Sequence, residues 1–166
     1  MPEKRTLERA AKDRREGKSA STQAGEFVRE EIHHVREGKH GARSAKQAIA
    51  IGLSKARRAG VDLPVPKSET TSSETRNKAA RDRAAAHGPH PVSRTRSRAT
   101  TNALEHEGHS AATPAALGRQ ATRAARQRTA ADRSASSKKA AQTKGPAVRK
   151  IAAKKAARTR SRKASG

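Results

Sequence analysis

The large apolar residues of this chain fall mainly in one window. Of 17 Met, Phe, Leu, Ile and Val, ten lie between Phe27 and Val65. Ala24, Phe27, Val28, Ile32 and Val35 recur there at spacings of three and four, which makes one stripe along a helix. Ser21 or Thr22 can cap its start and Gly38 can stop it. A short connection, Lys39-His40-Gly41-Ala42-Arg43, follows. Ser44-Ala45-Lys46-Gln47 then has capping-box form: the Ser44 hydroxyl can accept from the Gln47 amide while the Gln47 side chain reaches back. A second stripe, Ala45, Ala48, Ile49, Gly52, Leu53 and Ala56, runs to Gly60, and Asp62-Leu63-Pro64-Val65-Pro66 closes the unit. The pattern predicts a short antiparallel helical hairpin at about 21–60 with a core of Phe27, Val28, Ile32, Val35, Ile49 and Leu53. Bulky residues on the first helix face small ones on the second, so the two backbones can approach closely. Ile51 points away from the stripe. It reads as one exposed Ile or, with the 61–65 segment, as a contact with a partner or a second copy, so a homo-oligomer through the hairpin is one expectation.

Outside this window the pattern weakens. Residues 1–20 form a charged N-terminal segment with a weak helix carrying Leu7, Ala10, Ala11 and the stem of Arg14. Residues 67–112 read as a flexible linker with transient helices near 76–86 and 98–107. Thr113-Pro114 starts a helix-capable stretch, a cap residue followed by Pro at the first helical position. The remainder, 113–166, is a Lys/Arg/Ala-rich basic arm. In it Lys138-Lys139-Ala140-Ala141 recurs sixteen residues later as Lys154-Lys155-Ala156-Ala157. Ordering a residue costs about 1–2 kcal/mol of backbone entropy, and burying a Leu or Ile returns about 1.5–3 kcal/mol. Counted this way, 17 large apolar side chains cannot order 166 residues. The expected fold class is therefore mostly disordered with α-helical segments, a short antiparallel hairpin and no β-sheet.

Charge sharpens the division. The chain carries +24, and +15 of it lies in 113–166, where 16 Lys or Arg face a single acid, Asp132. Cations at that density release condensed counterions when they meet phosphates, which drives binding without reference to sequence. The residues expected to do this are Arg119, Arg123, Arg126, Arg128, Lys138, Lys139, Lys144, Arg149, Lys150, Lys154, Lys155, Arg158, Arg160, Arg162 and Lys163. A second group, Lys39, Arg43 and Lys46 around the start of the second helix with Arg57 and Arg58 at its end, can make secondary phosphate contacts. Glu26, Glu30, Glu31 and Glu37 make the first helix acidic and turn it away from a polyanion.

Several chemistries are excluded or disfavoured. With one aromatic residue there is no platform for stacking single-stranded bases, and without Cys there is no thiolate zinc site and no disulfide. The seven His do not form an H-E-x-x-H pattern, so solvated His and no metal or other cofactor are expected. No nucleophile, acid and base constellation stands out, so the chain reads as no enzyme. The Met1-Pro2-Glu3-Lys4-Arg5 start has no apolar stretch behind it, and no membrane partner is expected.

The stretch from Gly25 to Gly60, above all Arg43-Ser44-Ala45-Lys46-Gln47-Ala48-Ile49-Ala50-Ile51-Gly52-Leu53-Ser54, resembles a domain of unknown function in small basic bacterial proteins that carry a DNA-binding label. The run from Glu107 to Arg126 with the Lys/Ala tail is similar to the rest of that group. The tail separately resembles the carboxyl-terminal arms of linker histones and bacterial histone H1-like proteins, without their regular Ser/Thr-Pro-Lys-Lys pattern. The resemblance implies a bacterial setting and a DNA partner, and carries no catalytic residues. The leading expectation is a nonspecific, histone-like DNA-binding protein of the cytoplasm, associated with the nucleoid and acting on duplex DNA through its phosphates. RNA, for instance in a ribosomal setting, is an alternative partner. A disordered stress-protective protein is the alternative from a different class.

Overall fold

The structure is a computed structural model describing residues 1–69, 71–88 and 93–164, the side chains of 143, 144, 163 and 164 excepted. It is helical through most of its length, with no strand among the described residues. The α-helices are α1 (Lys4–Arg15), α2 (Ala20–Arg36), α3 (Ala45–Arg58), α4 (Ser73–Ala84), α5 (Arg94–Glu105), α6 (Pro114–Arg126) and α7 (Ala130–Ala164). Short 3-10 turns stand at Ala85–His87 and Ser110–Ala112. The chain divides into two units, 1–120 and 121–166.

This overturns the expectation of a mostly disordered chain. The reckoning that led to it counted only large apolar side chains and left out Ala. In the first unit Ala10, Ala24, Ala42, Ala45, Ala48, Ala56, Ala79, Ala111 and Ala112 are all buried. Alanine loses no side-chain entropy on ordering and is the best helix former. A helix that packs through Ala therefore needs fewer bulky residues to hold it.

The first unit is built around α2 and α3, with α1 against α2 and α4 against α3. One core cluster joins Ala10, Ala24, Phe27, Ala56, Val61 and Leu63, with Leu53 packed against it. A second joins Ile32, Val35, Ala42, Ala48, Ala111 and Ala112, with Val28 and Leu117 against it. Early α2 thus meets late α3 and late α2 meets early α3, so the pair is antiparallel. Ile49, like Leu53, is only half-buried. At Gly52 the two backbones nearly touch: a Cβ there would lie 2.7 Å from the Val28 Cα.

The ends of these helices follow local chemistry. α2 starts at Ala20 behind Ser19, earlier than the expected Ser21 or Thr22 cap. Gly38 takes φ 74°, and the amides of Gly38 and Lys39 return to the carbonyls of Val35 and His34, which closes α2 with a left-handed glycine. Ser44 Oγ accepts from the Gln47 amide at 3.2 Å, and Gln47 Oε1 accepts from the Arg43 amide at 2.8 Å.

The expected linker is a second correction. The Gly41 amide donates to the Leu104 carbonyl at 2.8 Å, and the Ala42 amide to the Gly108 carbonyl at 3.0 Å. Arg36 Nε donates to the Ala112 carbonyl at 2.8 Å. Asp82 on α4 accepts from Ser54 Oγ at 2.6 Å and from Arg58 Nε at 2.8 Å, and Arg83 pairs with Asp62. These polar ties hold segments whose sequence has almost no large apolar residue. The pairing surface expected at 61–65 is partly consumed as well: Val61 and Leu63 are buried in the unit's own core, and of its large apolar residues Val65 alone is exposed.

Candidate nucleic-acid interface

The second unit holds the end of α6 and all of α7. Thr113 Oγ1 accepts from the Ala116 amide at 3.3 Å, and Pro114 opens α6. A reciprocal cap starts α7: the Asp132 amide donates to Thr129 Oγ1 at 3.0 Å, and the Thr129 amide and hydroxyl donate to Asp132 Oδ2 at 3.3 and 2.7 Å. The single acid of the arm is thus engaged at a helix N-terminus, where a negative charge also suits the helix dipole. α7 is two helical rods joined at Gly145, whose φ of 65° and ψ of 167° are not helical. Pro146 explains the break, because it has no amide to continue the first rod and is preset for the first turn of the second.

The structure exposes Arg119, Arg123, Arg126, Arg128, Lys138, Lys139, Arg149, Lys150, Lys154, Lys155, Arg158, Arg160 and Arg162. The side chains of Lys144 and Lys163 lie outside the described residues. Numbered around the second rod at 100° per residue, the cations occupy every side rather than one stripe. At 1.5 Å per residue the rod 146–164 is about 28 Å long, and eight Lys or Arg lie on it. Duplex DNA of that length carries about 16 phosphates, both strands counted. A helix charged on all sides suits a groove, where phosphates stand on both flanks.

The secondary group does not come together as one surface. Arg57 is buried, with a guanidinium NH2 donating to the Pro64 carbonyl at 3.3 Å, and burial pushes its pKa down. Arg58 is held by Asp82. Lys39 stands between Glu3 at 3.2 Å and Glu37 at 3.3 Å, and the two carboxylates raise its pKa. Arg43 and Lys46 are exposed beside the α3 N-terminus.

Sequence reading missed a polar cluster on the other face of the hairpin. Glu31 is fully buried, with Lys55 Nζ 2.6 Å from Oε2 and His40 Nε2 3.2 Å from Oε1. His34 lies beside it, and its Nε2 is 2.8 Å from Glu3 Oε1. Hydrogen bonding from His34, then from Lys39, holds the Glu3 carboxyl down to about 2. Candidate metal-ligand atoms of Glu31, His34 and His40 lie within 4.8 Å of one another. The expectation of solvated His therefore fails for His34 and His40, whose side chains are 13% and 17% exposed. His33 is exposed, and His90 lies outside the described residues. A signal existed in the sequence: Glu31-x-x-His34 places both side chains on one helix face.

Residues 3–67 match a family described as "Family of unknown function (DUF6496)". No curated protein and no solved structure matches the chain. The match spans α1, α2, α3 and the segment to Lys67. It therefore contains the Glu31 cluster and none of the basic arm. Among the described residues no helix is long and apolar enough to cross a membrane.

Proposed function

We propose that the protein binds duplex DNA through its phosphates, without reading sequence, and that it does so as a histone-like component of a bacterial nucleoid. One observation carries the reading. Throughout 121–166 the described Lys and Arg side chains are exposed, all but Arg128 on helices, and the single acid there caps α7. In the first unit, by contrast, Lys55 and Arg58 are turned to the buried carboxylates of Glu30, Glu31 and Asp82. The arm accordingly supplies the affinity, with the second rod of α7 lying along a groove.

The test is fluorescence anisotropy of a labelled duplex across a salt series, comparing the full chain with residues 1–120. The cut falls after Gln120 because Leu117 packs on the core of the first unit. Four to eight phosphate contacts predict a log–log salt slope of about −4 to −7. Loss of the arm should remove most of the affinity and flatten that slope. An unchanged slope for 1–120 would show the assignment to be wrong. Competition with duplex RNA at one salt concentration decides between the two polyanions.

A further inference from the structure

We propose that Glu31, His34 and His40 bind a divalent transition ion of the zinc class, which ties α2 to the connection that follows it. Three independent features of the cluster point to a cation.

The first is the carboxylate. Glu31 is fully buried, yet neither oxygen has a partner in hydrogen-bond geometry. Lys55 reaches Oε2 at 2.6 Å and His40 reaches Oε1 at 3.2 Å as ion-pair distances only. Lys55 supplies one compensating charge at Oε2, and Oε1 is left facing only the His40 ring.

The second is the His40 ring. Its Nδ1 stands 3.0 Å from the Gly41 carbonyl oxygen, which can only accept. The proton of a neutral ring therefore sits on Nδ1, and Nε2 turns a lone pair toward Glu31 Oε1. Two acceptors would then face each other across 3.2 Å, a gap that a second ring proton or a metal ion can bridge. A zinc ion at its usual bond lengths to imidazole and carboxylate holds those two atoms about 3.3 Å apart at a tetrahedral angle. The backbone carbonyl on the far nitrogen is also the usual outer partner of a metal-bound histidine.

The third is how the fold assembles the set. Glu31 and His34 share one face of α2. Gly38, at φ 74°, turns the chain so that His40 comes back over the last turns of that helix. The His34 and His40 rings lie 6.0 Å apart at 87°. On the outer side, Glu3 Oε1 steadies His34 through Nε2 at 2.8 Å. Lys55 occupies Oε2 of Glu31, which leaves Oε1 as the carboxylate ligand and keeps out a second ion. Two imidazoles and one carboxylate suit zinc, cobalt or nickel rather than magnesium or calcium.

The experiment is a calorimetric titration of zinc chloride into the untagged, chelator-stripped full chain, with H34Q, H40Q and H33Q in parallel. One equivalent should bind to the wild type. H34Q and H40Q should each weaken binding by more than about tenfold, the least that even outer partners of a metal cost. H33Q should bind as the wild type does, because His33 faces solvent and pairs with Glu37. Circular dichroism of the metal-free variants confirms that they remain folded. Should either variant unfold, the histidine ring nitrogen resonances of the wild type decide: zinc must shift His34 and His40 and leave His33 and His87 unmoved. No binding to the wild type, equal binding to H34Q and H40Q, or shifts at other histidines would overturn the proposal.

Discussion

Gly52→Ala isolates the close approach of α2 and α3. In most exposed helix positions this change is favourable, because Ala exceeds Gly in helix propensity by about 1 kcal/mol. At Gly52 the added Cβ meets backbone rather than a yielding side chain: the Val28 Cα at 2.7 Å, and the Phe27 carbonyl oxygen and Val28 amide nitrogen at 3.0 Å. Ordinary carbon contacts stand at about 3.5–4.0 Å, so the helices must separate by roughly 1 Å, and a gap of that size forfeits a quarter to a half of each contact it opens. The contacts at risk belong to Phe27, Val35, Ala48 and Ala56, all buried to within 1% of exposure. Overpacking of this kind costs about 1–3 kcal/mol. Gly25 provides a matched control, lying inside α2, exposed, with nothing within 4 Å of its Cβ position. Urea unfolding followed by far-ultraviolet circular dichroism should show Gly25→Ala stabilising by about 0.5–1 kcal/mol. Gly52→Ala should fall about 1–3 kcal/mol below that control. Adding Val28→Ala should not rescue it, because the obstructing Val28 atoms are backbone. Equal stabilisation by both glycine substitutions would refute the packing argument.

Two further outcomes test the polar ties. Asp82 is buried and holds α4 to α3 through Ser54 and Arg58. Asp82→Ala should cost about 1.5–3 kcal/mol, as hydrogen bonds to charged groups do, and amide exchange should quicken across 73–84 before it quickens in α2. At the α1–α2 junction, the hydrogen bond from Lys18 to Glu16 lowers the Glu16 pKa. The folded carboxyl thus titrates below its unfolded value. Its contribution to stability is present above the ordinary glutamate range near about 4.3 and is lost as pH falls through the lowered midpoint. A carboxyl NMR titration should place Glu16 below that range and return it there in Lys18→Met; an unmoved midpoint counts against the contact.

The hairpin was legible because its signals are local. Stripes at spacings of three and four, the Ser44–Gln47 box and the glycines at 38 and 60 each act within a few residues of chain. What was illegible depends on distant partners. Nothing in Ser73 to Ala84 or Arg94 to Glu105 announces a fold, since their anchors are Asp82 on Ser54 and Arg58, and the backbone bond from Gly41 to Leu104. The Glu31 cluster escaped notice because His33-His34, His40 and Glu31 look like ordinary charged helix residues until burial separates His34 from its neighbour His33. In the arm, exposure could be anticipated from charge, while the rods follow from Ala content and the Thr129–Asp132 cap.

The same residue type therefore serves two ends in this chain, and burial decides which. Lys55, 25% exposed in its side chain, is committed to Glu31 and Glu30, and Arg58 to Asp82. These cations close helix contacts that small side chains alone leave polar, and exchanging them for apolar residues would leave Glu31 buried without a counter-charge. The arm's cations lie on the surface, where salt screens them over about 8 Å at physiological ionic strength. Net charge consequently misstates where the protein is specific. In the proposed function the arm contributes a strength of attraction that any polyanion can share, and permuting its Lys and Arg along the rods is expected to change binding little. Around Glu31, each charge has named partners at fixed distances, and a single exchange there changes what the site can hold.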